Sequence, residues 1–149
     1  MNTCKNADLS KKHPKVDGKK LKITIVLPYF NEEIGLKLLE NTKKELSAQN
    51  VQQKNIKIIR VAGALEIPFA CQKIATKYKP DAIIALGIII RGQTKHFDLV
   101  AENTYQGIMR VQLEQKIPII FGVLTCENVK QAKERIKEFA TSALIQTTI

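Results

Sequence analysis

The segment Arg-Gly-Gln-Thr-Lys-His-Phe-Asp at residues 91–98 contains residue types that could bind a phosphate and transfer a proton beside it. Gly92 and Thr94 precede a predicted helix, where free backbone N–H groups and the positive end of the helix dipole attract anions. His96 follows, and an imidazole with a pKa of about 6.5 can donate or accept a proton near neutral pH. The segment therefore indicates a phosphate-handling loop with His96 as its proton-transfer residue.

The same three residues also have ordinary structural explanations. Gly92 can simply make a turn, and Thr94 can simply cap the following helix. His96 can be a capping or surface residue, as single histidines often are. The functional interpretation gains weight because the segment follows a predicted strand, a position where loops often carry catalytic residues.

Two residues elsewhere could contact a substrate. Glu66 lies in Val-Ala-Gly-Ala-Leu-Glu-Ile-Pro, and its carboxylate could accept hydrogen bonds from a polyol. The alternative is a carboxylate that the dipole favours at the start of a helix. Phe30 follows a strand beside Asn31 and could stack on a flat heterocycle, whereas core packing is the competing interpretation. The local pattern leaves both alternatives open.

Phe121 and Arg135 have plainer local explanations. Phe121 lies within an apolar strand, so the pattern favours a core residue unless a neighbouring subunit uses it. Arg135 lies among three lysines and a glutamate on the last predicted helix, which is typical of a solvated charged face. Its guanidinium would suit bidentate phosphate binding, but the pattern does not select it over its neighbours.

Alternating hydrophobic patterns predict the elements that must position these residues. The predicted strands are residues 21–27, 56–61, 82–90 and 117–124, and the predicted helices are residues 32–49, 68–78, 97–115 and 128 to about 145. The first strand is a β-branched run that Pro28 closes, as expected for a strand buried on both faces, and Asn31 could cap the next helix. Four strand–helix units in series predict a parallel sheet with helices on both faces.

Most of the candidate residues fall at one edge of this sheet. In parallel sheets of this kind, ligands bind outside the carboxyl ends of the strands, where loops lead into helices. The rule selects the loops at residues 29–31, 63–66 and 91–96 and the segment after Phe121. We therefore expect the chemistry at these four loops.

Length, composition and charge bound the possible functions. The chain has 149 residues, of which 44% are hydrophobic and 26% charged, and this fits one folded domain. Residues 1–20 contain six lysines and two aspartates, so +4 of the net charge of +10 lies in a polar segment. We expect this segment to be a mobile basic tail, and residues 21–149 to form the single domain. The net charge alone does not distinguish nucleic acid, an anionic membrane and a phosphorylated substrate as partners.

Cysteine use and apolar runs indicate the compartment. The three cysteines are widely spaced and contain no Cys-x-x-Cys pair, which argues against a disulfide framework or a metal site of the zinc type. The longest apolar run, residues 83–90, is far shorter than the roughly 20 residues of a membrane span, and no segment resembles a signal peptide. We therefore expect a cytoplasmic protein with no membrane partner.

Four motifs carry a family resemblance when they are taken together. They are Tyr-Phe-Asn at 29–31, Gly-Ala-Leu-Glu-Ile-Pro at 63–68, Gly-Ile-Ile-Ile-Arg-Gly-Gln-Thr-Lys-His-Phe-Asp at 87–98 and Pro-Ile-Ile-Phe-Gly-Val-Leu-Thr at 118–125. In this order and spacing they closely resemble the 6,7-dimethyl-8-ribityllumazine synthase family, from about residue 21 to residue 135. The fold expected is a three-layer α/β/α sandwich, with a central four-stranded parallel sheet of flavodoxin-like order 2-1-3-4 flanked by helices.

The resemblance implies a transferase of riboflavin biosynthesis that uses no metal or redox cofactor. Members of the family condense 5-amino-6-(D-ribitylamino)uracil with 3,4-dihydroxy-2-butanone 4-phosphate, and they release phosphate and water. The small-molecule substrates would then be the main partners of the chain. Nucleic acid is not expected, because the basic tail lacks interleaved aromatic residues that could stack on bases.

The resemblance also implies roles for individual residues. His96 would transfer protons, and Gln93, Thr94 and Arg135 would bind the butanone phosphate. The residues implied for the ribitylaminouracil are Phe30, Asn31, Ala64, Leu65, Glu66, Ile88, Ile89, Ile90 and Phe121. A neighbouring subunit would contribute Phe121, which implies a homo-oligomer with active sites at subunit interfaces. Family members form pentamers, and many assemble further into sixty-subunit icosahedral shells.

The sequence departs from the family after Arg135. Members usually continue with a Gly-(Thr/Ser)-Lys segment and a Gly-Asn-Lys-Gly turn, whereas this chain continues with Ile-Lys-Glu-Phe-Ala-Thr-Ser-Ala-Leu-Ile-Gln-Thr-Thr-Ile. The lysine that the family places near the phosphate is missing from this stretch. An alternative hypothesis is therefore a catalytically weakened homologue that binds flavin-like ligands in the same oligomer.

Overall fold

A parallel sheet forms the middle layer of the fold. The computed structural model describes residues 17–139, and within them four strands pair in the order β2-β1-β3-β4. The strands are β1 (Ile23–Pro28), β2 (Ile56–Val61), β3 (Ala82–Ile90) and β4 (Ile119–Cys126). All six residues of β1 are buried, which confirms the prediction of a strand covered on both faces. The sheet order of the expected fold is confirmed as well.

Helices cover both faces of the sheet. They are α1 (Glu32–Ala48), α2 (Ile67–Lys77), α3 (His96–Gln115) and α4 (Val129–Phe139). Alternate side chains of β1 point to opposite faces, so Ile25 and Leu27 pack in the core cluster with α1 and α4, while Val26 packs in the cluster with α2 and α3. The three-layer α/β/α architecture is therefore as predicted. Among the helices within residues 17–139, none combines the length and the apolar character that a membrane span requires.

The last strand lies two residues later than the sequence pattern predicts. Lys116 adopts a left-handed conformation with φ of 53°, and this residue ends α3, so residues 117 and 118 serve as the connection. At its other end β4 continues to Cys126, because β3 is nine residues long and Cys126 still pairs with Ile90. Thr125 therefore belongs to the strand, although it is polar and follows the apolar run from which the strand was predicted. The predicted extension of the last helix to about residue 145 falls outside the described residues.

The folded part begins before residue 21, the predicted start of the domain. Gly18–Lys20 form a 3-10 turn in which Gly18 is buried and its N–H donates to the carbonyl of Gln49 at 2.8 Å. A Cβ atom on Gly18 would lie 2.5 Å from Val51 Cγ2, so only glycine fits this contact. Residues 18–20 therefore pack against the end of α1. The rest of the predicted basic tail, residues 1–16, falls outside the described residues.

Candidate active site

A cavity of about 420 Å³ opens at the carboxyl ends of β1 and β3. Four segments enclose it: the end of β1 with the next loop, the turn after β2, the end of β3, and the loop leading into α3. The lining residues are Pro28, Phe30, Asn31, Gly63, Ala64, Leu65, Glu66, Ile88, Ile89, Ile90, Gly92, Thr94, His96, Phe97 and Val100. Most of the residues selected from the sequence therefore meet in one cavity, at the edge that the strand-end rule specifies.

The loop after β1 presents Phe30 to this cavity. Its ring is 73% exposed, so it is not a core residue in this chain. The loop itself is well held, because the N–H of Tyr29 donates to the carbonyl of Val61 at 2.8 Å and that of Phe30 to the carbonyl of Ala62 at 3.2 Å. A rigid loop with an exposed ring is suited to stacking on a planar ligand.

Asn31 does not cap α1 as the sequence pattern suggests. It precedes the helix, but it adopts a left-handed conformation with φ of 57° and its side chain makes no capping hydrogen bond. Instead Asn31 Nδ2 donates to the carbonyl of Ile88 at 2.9 Å. Asparagine tolerates this backbone conformation better than most residues. The capping prediction is therefore wrong, and the amide ties the exit of β1 to the end of β3.

Glu66 holds the turn between β2 and α2. Its Oε2 accepts a hydrogen bond from the N–H of Gly63 at 2.7 Å, and this contact closes the short turn Ala64–Glu66. Among the described residues, none donates a hydrogen bond to Oε1. One oxygen thus has a structural role in the turn before α2, while the carboxylate also lines the cavity.

The loop between β3 and α3 offers a row of backbone donors. The N–H groups of residues 92–95 donate no hydrogen bond to any of the residues in 17–139. A Cβ atom on Gly92 would meet no atom within 4 Å, so open space adjoins this part of the loop. Successive free N–H groups before a helix make a ready anion site. Thr94 Oγ1 accepts the N–H of His96 at 3.3 Å, so Thr94 organises the start of α3 locally.

His96 is the first residue of α3, and its exposed side chain lines the cavity next to this loop. The imidazole is therefore placed beside the free N–H groups, close to where an anion would bind. A group that can both donate and accept a proton near neutral pH suits that position.

Arg91 was not singled out by its sequence pattern, although it begins the loop. Its Nε lies 2.7 Å from Glu127 Oε2, and its Nη1 lies 3.3 Å from both carboxylate oxygens of Asp98. Its guanidinium also stacks over the Phe97 ring at 4.2 Å. The hydrogen bond to Glu127, followed by that to Asp98, raises the pKa of Arg91 above its ordinary value. Opposite charges that follow neighbouring strands were the signal that could have revealed this cluster.

Three predicted site residues do not line the cavity. Gln93 lies in the same loop but is exposed outside the lining, and Arg135 is exposed on α4. Phe121 is half-buried in β4, and its ring packs on Tyr105 with centroids 4.3 Å apart. Both rings line a separate surface groove along α3 that also includes Ile108 and Met109. Phe121 is thus neither fully buried core nor part of the cavity of its own chain.

The described cysteines are not suited to nucleophilic or metal chemistry. Burial raises the pKa of Cys71 to about 12 and also raises the pKa of Cys126, whose shift the charge of Arg135 opposes. A thiol with a raised pKa forms little of the reactive thiolate near neutral pH. Within residues 17–139, no group of three histidine, cysteine, aspartate or glutamate side chains could hold a metal ion.

Comparison with known proteins identifies the family. The family model described as 6,7-dimethyl-8-ribityllumazine synthase matches residues 20–147. A protein of that name from Polaromonas sp. is 48% identical over 121 residues, which cover 81% of this chain and 79% of the relative. One from Neisseria meningitidis serogroup C is 46% identical over 130 residues, covering 87% and 82%, and one from Paracidovorax citrulli is 48% identical over 124 residues, covering 83% and 80%. The chain belongs to the 6,7-dimethyl-8-ribityllumazine synthase family, a family of transferases in riboflavin biosynthesis.

Proposed function

We propose that this chain condenses 5-amino-6-(D-ribitylamino)uracil with 3,4-dihydroxy-2-butanone 4-phosphate to give 6,7-dimethyl-8-ribityllumazine, phosphate and water. The observation that carries the proposal is the cavity at the sheet edge. It brings an exposed aromatic ring, a carboxylate, a row of free N–H groups and an imidazole to one place. Membership of the family supports the same reaction.

The ribitylaminouracil would occupy the side of the cavity formed after β1 and β2. Phe30 would stack on the pyrimidine, and the backbone of Ile88, Ile89 and Ile90 would hydrogen-bond to the uracil edge. Ala64, Leu65 and Glu66 would hold the ribityl chain. Glu66 fits this role because its Oε2 already fixes the turn, which orients Oε1 without further cost in conformational freedom.

The butanone phosphate would bind at the loop before α3. The free N–H groups of residues 92–95 and the N-terminal end of α3 favour an anion there, and Gln93 and Thr94 would add side-chain donors. His96 would then stand between the two substrates. Imine formation, phosphate elimination and ring closure each move protons, and a positioned acid–base group contributes about 10²–10⁴-fold.

Phe121 and Arg135 would complete the site from a neighbouring subunit. Neither lines the cavity of its own chain, and Phe121 lies on a groove that includes the exposed side chain of Met109. Such an apolar face is typical of a surface that a partner covers. We therefore expect a homo-oligomer of the family type, a pentamer, with each cavity closed by the next subunit.

The cytoplasm is the compartment that fits this proposal. Cys71 and Cys126 are buried free thiols, which are stable in a reducing compartment. The hypothesis of a catalytically weakened homologue is not favoured by any feature of residues 17–139. Its motivation is the sequence after Arg135, most of which falls outside the described residues.

The direct test is to mix the purified protein with both substrates and follow the fluorescence of the lumazine product. The His96→Ala variant should lose about 10²-fold in kcat, the lower end of the contribution of a positioned acid–base group. His13→Ala, which changes the only other histidine of the chain, is the matched control and should retain full activity. The proposal would be rejected if the protein formed no lumazine, or if His96→Ala formed it at the native rate.

Mixed oligomers test whether subunits share the site. Co-expressed His96→Ala and Phe121→Ala subunits should form some sites that contain both native residues, so the mixture should recover activity that neither variant has alone. Recovery would support shared sites, and the solution mass would give the number of subunits. Mixed oligomers as inactive as the separate variants would show that each chain forms its site alone.

A further inference from the structure

A charged cluster beside the cavity has no part in the chemistry described above. Arg91 follows β3 directly, Asp98 lies in the first turn of α3, and Glu127 follows β4 directly. One guanidinium contacts both carboxylates, through Nε to Glu127 at 2.7 Å and through Nη1 to Asp98 at 3.3 Å. The cluster therefore connects the exits of two strands with the start of the helix that carries His96.

We propose that Arg91 is a positioning residue that fixes the first turn of α3 against the ends of β3 and β4, and thereby sets the position of His96 in the cavity. This proposal rests on the proton-transfer role proposed for His96.

The backbone explains why such a link is needed. The N–H of Arg91 still belongs to the sheet, since it donates to the carbonyl of Cys126 at 2.9 Å. The next four residues donate no backbone hydrogen bond to any part of the chain that the structure describes. The N–H of His96 donates to the side chain of Thr94 at 3.3 Å, and backbone-to-backbone hydrogen bonds resume where the N–H of Asp98 donates to the carbonyl of Lys95 at 3.1 Å. The start of α3 is thus joined to the sheet edge largely by side chains.

The polar side-chain contacts that make this join are centred on Arg91, and Phe97 and Val100 add apolar packing against the core. The Arg91 guanidinium stacks on Phe97, the residue next to His96, and contacts Asp98, two residues after His96. Phe97 and Asp98 both lie within the same helical turn as the imidazole of His96. A displacement of this turn would therefore displace His96 relative to the free N–H groups of the loop.

The exposure of the cluster argues for positioning rather than for stability. The Arg91 side chain is 39% exposed, and both carboxylates are more than half exposed. Ion pairs that are this exposed contribute little to the free energy of unfolding. A planar guanidinium can hold two carboxylates in fixed directions through its fork of N–H donors. A lysine ammonium keeps the charge but lacks this fork. The change from arginine to lysine therefore separates geometry from charge.

The experiment compares Arg91→Lys, Asp98→Asn and Asp98→Glu in the full-length oligomeric protein. The control is Glu40→Gln, which removes an exposed ion pair with Lys44 on α1. Arg91→Lys and Asp98→Asn should each lower kcat about tenfold, because displaced reacting groups cost rate, with little change in KM for the butanone phosphate or in Tm. Asp98→Glu should recover part of kcat, and Glu40→Gln should leave kcat, KM and Tm unchanged.

Reaction of His96 with diethyl pyrocarbonate provides a readout that does not depend on turnover. Mass spectrometry would follow modification of His96, with His13 as the internal reference. Inorganic phosphate should slow the modification of His96 in the native protein and in Glu40→Gln, but much less in Arg91→Lys. If the native protein made no lumazine, the proposed function would fail, and this protection would still decide whether Arg91 positions His96.

Three outcomes would overturn the proposal. The first is an Arg91→Lys variant with native kcat and native phosphate protection of His96. The second is an Asp98→Asn variant whose KM falls while kcat stays constant, because Asp98 would then act only through its charge near the phosphate. The third is a fall of Tm in parallel with kcat that Asp98→Glu does not reverse, because the cluster would then serve only stability.

Discussion

Arg60 and Arg91 lie on the two sides of the cavity. Both pair with a carboxylate and stack on an aromatic ring, but Arg60 also donates to backbone carbonyls. Arg60, on β2, donates from Nε to the carbonyl of Leu27 at 3.0 Å and from Nη2 to that of Pro28 at 3.2 Å. It also pairs with Glu32 and stacks over Tyr29 at 4.1 Å from the ring centroid. Arg91 stacks on an aromatic ring too, but its side-chain hydrogen bonds within residues 17–139 all go to carboxylates.

The difference lies in what each arginine adds to the backbone around it. Arg60 contacts the end of β1, where the sheet and the N–H groups of Tyr29 and Phe30 already fix the chain. Arg91 spans a loop whose N–H groups have no partner among the described residues. The backbone near Phe30 is therefore held by several hydrogen bonds, whereas near His96 one guanidinium makes the polar contacts to the sheet edge, beside the packing of Phe97 and Val100 against the core.

The largest expected effect follows from removing the guanidinium on the His96 side. Arg91→Gln loses both the fork and the charge, so Asp98 and Glu127 are left without their shared partner. We expect kcat to fall about 10²-fold, the cost of misplacing a reacting group by roughly 1 Å. Steady-state kinetics with both substrates at saturation measures this effect. A native kcat would remove the proposed difference between the two sides.

The corresponding change on the other side should affect binding rather than turnover. Arg60→Gln loses the contact with Tyr29, next to the ring of Phe30, but it leaves the backbone contacts of the loop. We expect KM for the ribitylaminouracil to rise about tenfold at most, equivalent to about 1.4 kcal/mol, with kcat nearly native. Equal losses of kcat in Arg60→Gln and Arg91→Gln would contradict the comparison.

Sequence reasoning predicted the fold because the strands are short apolar runs of a kind that parallel sheets require. The strand-end rule then predicted where Phe30, Glu66 and His96 meet, since it needs only the order of elements and not their contacts. The boundaries of β4 were missed because its last residues, Thr125 and Cys126, are held by pairing with β3 and not by their own pattern.

The contacts of the two arginines depend on which strands are neighbours in the sheet. Arg60 looks like an outward-facing charge on an edge strand, and its partners become visible only when β2 lies beside β1. Arg91 and Glu127 are 36 positions apart and meet because β3 and β4 are neighbours. The roles of Phe121 and Arg135 are not visible even in a single-chain structure, because the site proposed for them belongs to a neighbouring subunit.

Asn31 provides a smaller test of why the Phe30 side is more robust. Asn31→Gly removes the hydrogen bond to the carbonyl of Ile88 but accepts the left-handed backbone, so the free energy of unfolding should fall by about 1 kcal/mol. Asn31→Ala should lose about 1–2 kcal/mol more, because a Cβ atom disfavours this conformation. Urea unfolding measures both variants.

The double variant of Asn31→Gly with Arg60→Gln tests whether these contacts substitute for each other. We expect its KM for the ribitylaminouracil to exceed the product of the two single effects, since both contacts hold the exit of β1. If the KM of the double variant equalled the product of the two single effects, the two contacts would act independently. The Phe30 side would then not be held redundantly.

The smallest expected effect is a local change in thiol reactivity that reports on the two sides separately. Cys126 is 1% exposed, and its carbonyl accepts the N–H of Arg91, so it lies at the corner that the arginine closes. Burial raises the pKa of this thiol, and the Glu127 carboxylate raises it further; Arg91→Gln should loosen the corner, admit the reagent to the thiol and speed alkylation several-fold at pH 8. Cys71, whose pKa burial raises to about 12, is the internal control and should stay unreactive in every variant.

Arg60→Gln should leave Cys126 as slow as in the native protein, because β2 does not contact this corner of the sheet. Faster alkylation of both thiols in Arg91→Gln would indicate general loosening of the fold, and the guanidinium would then not be a local clamp.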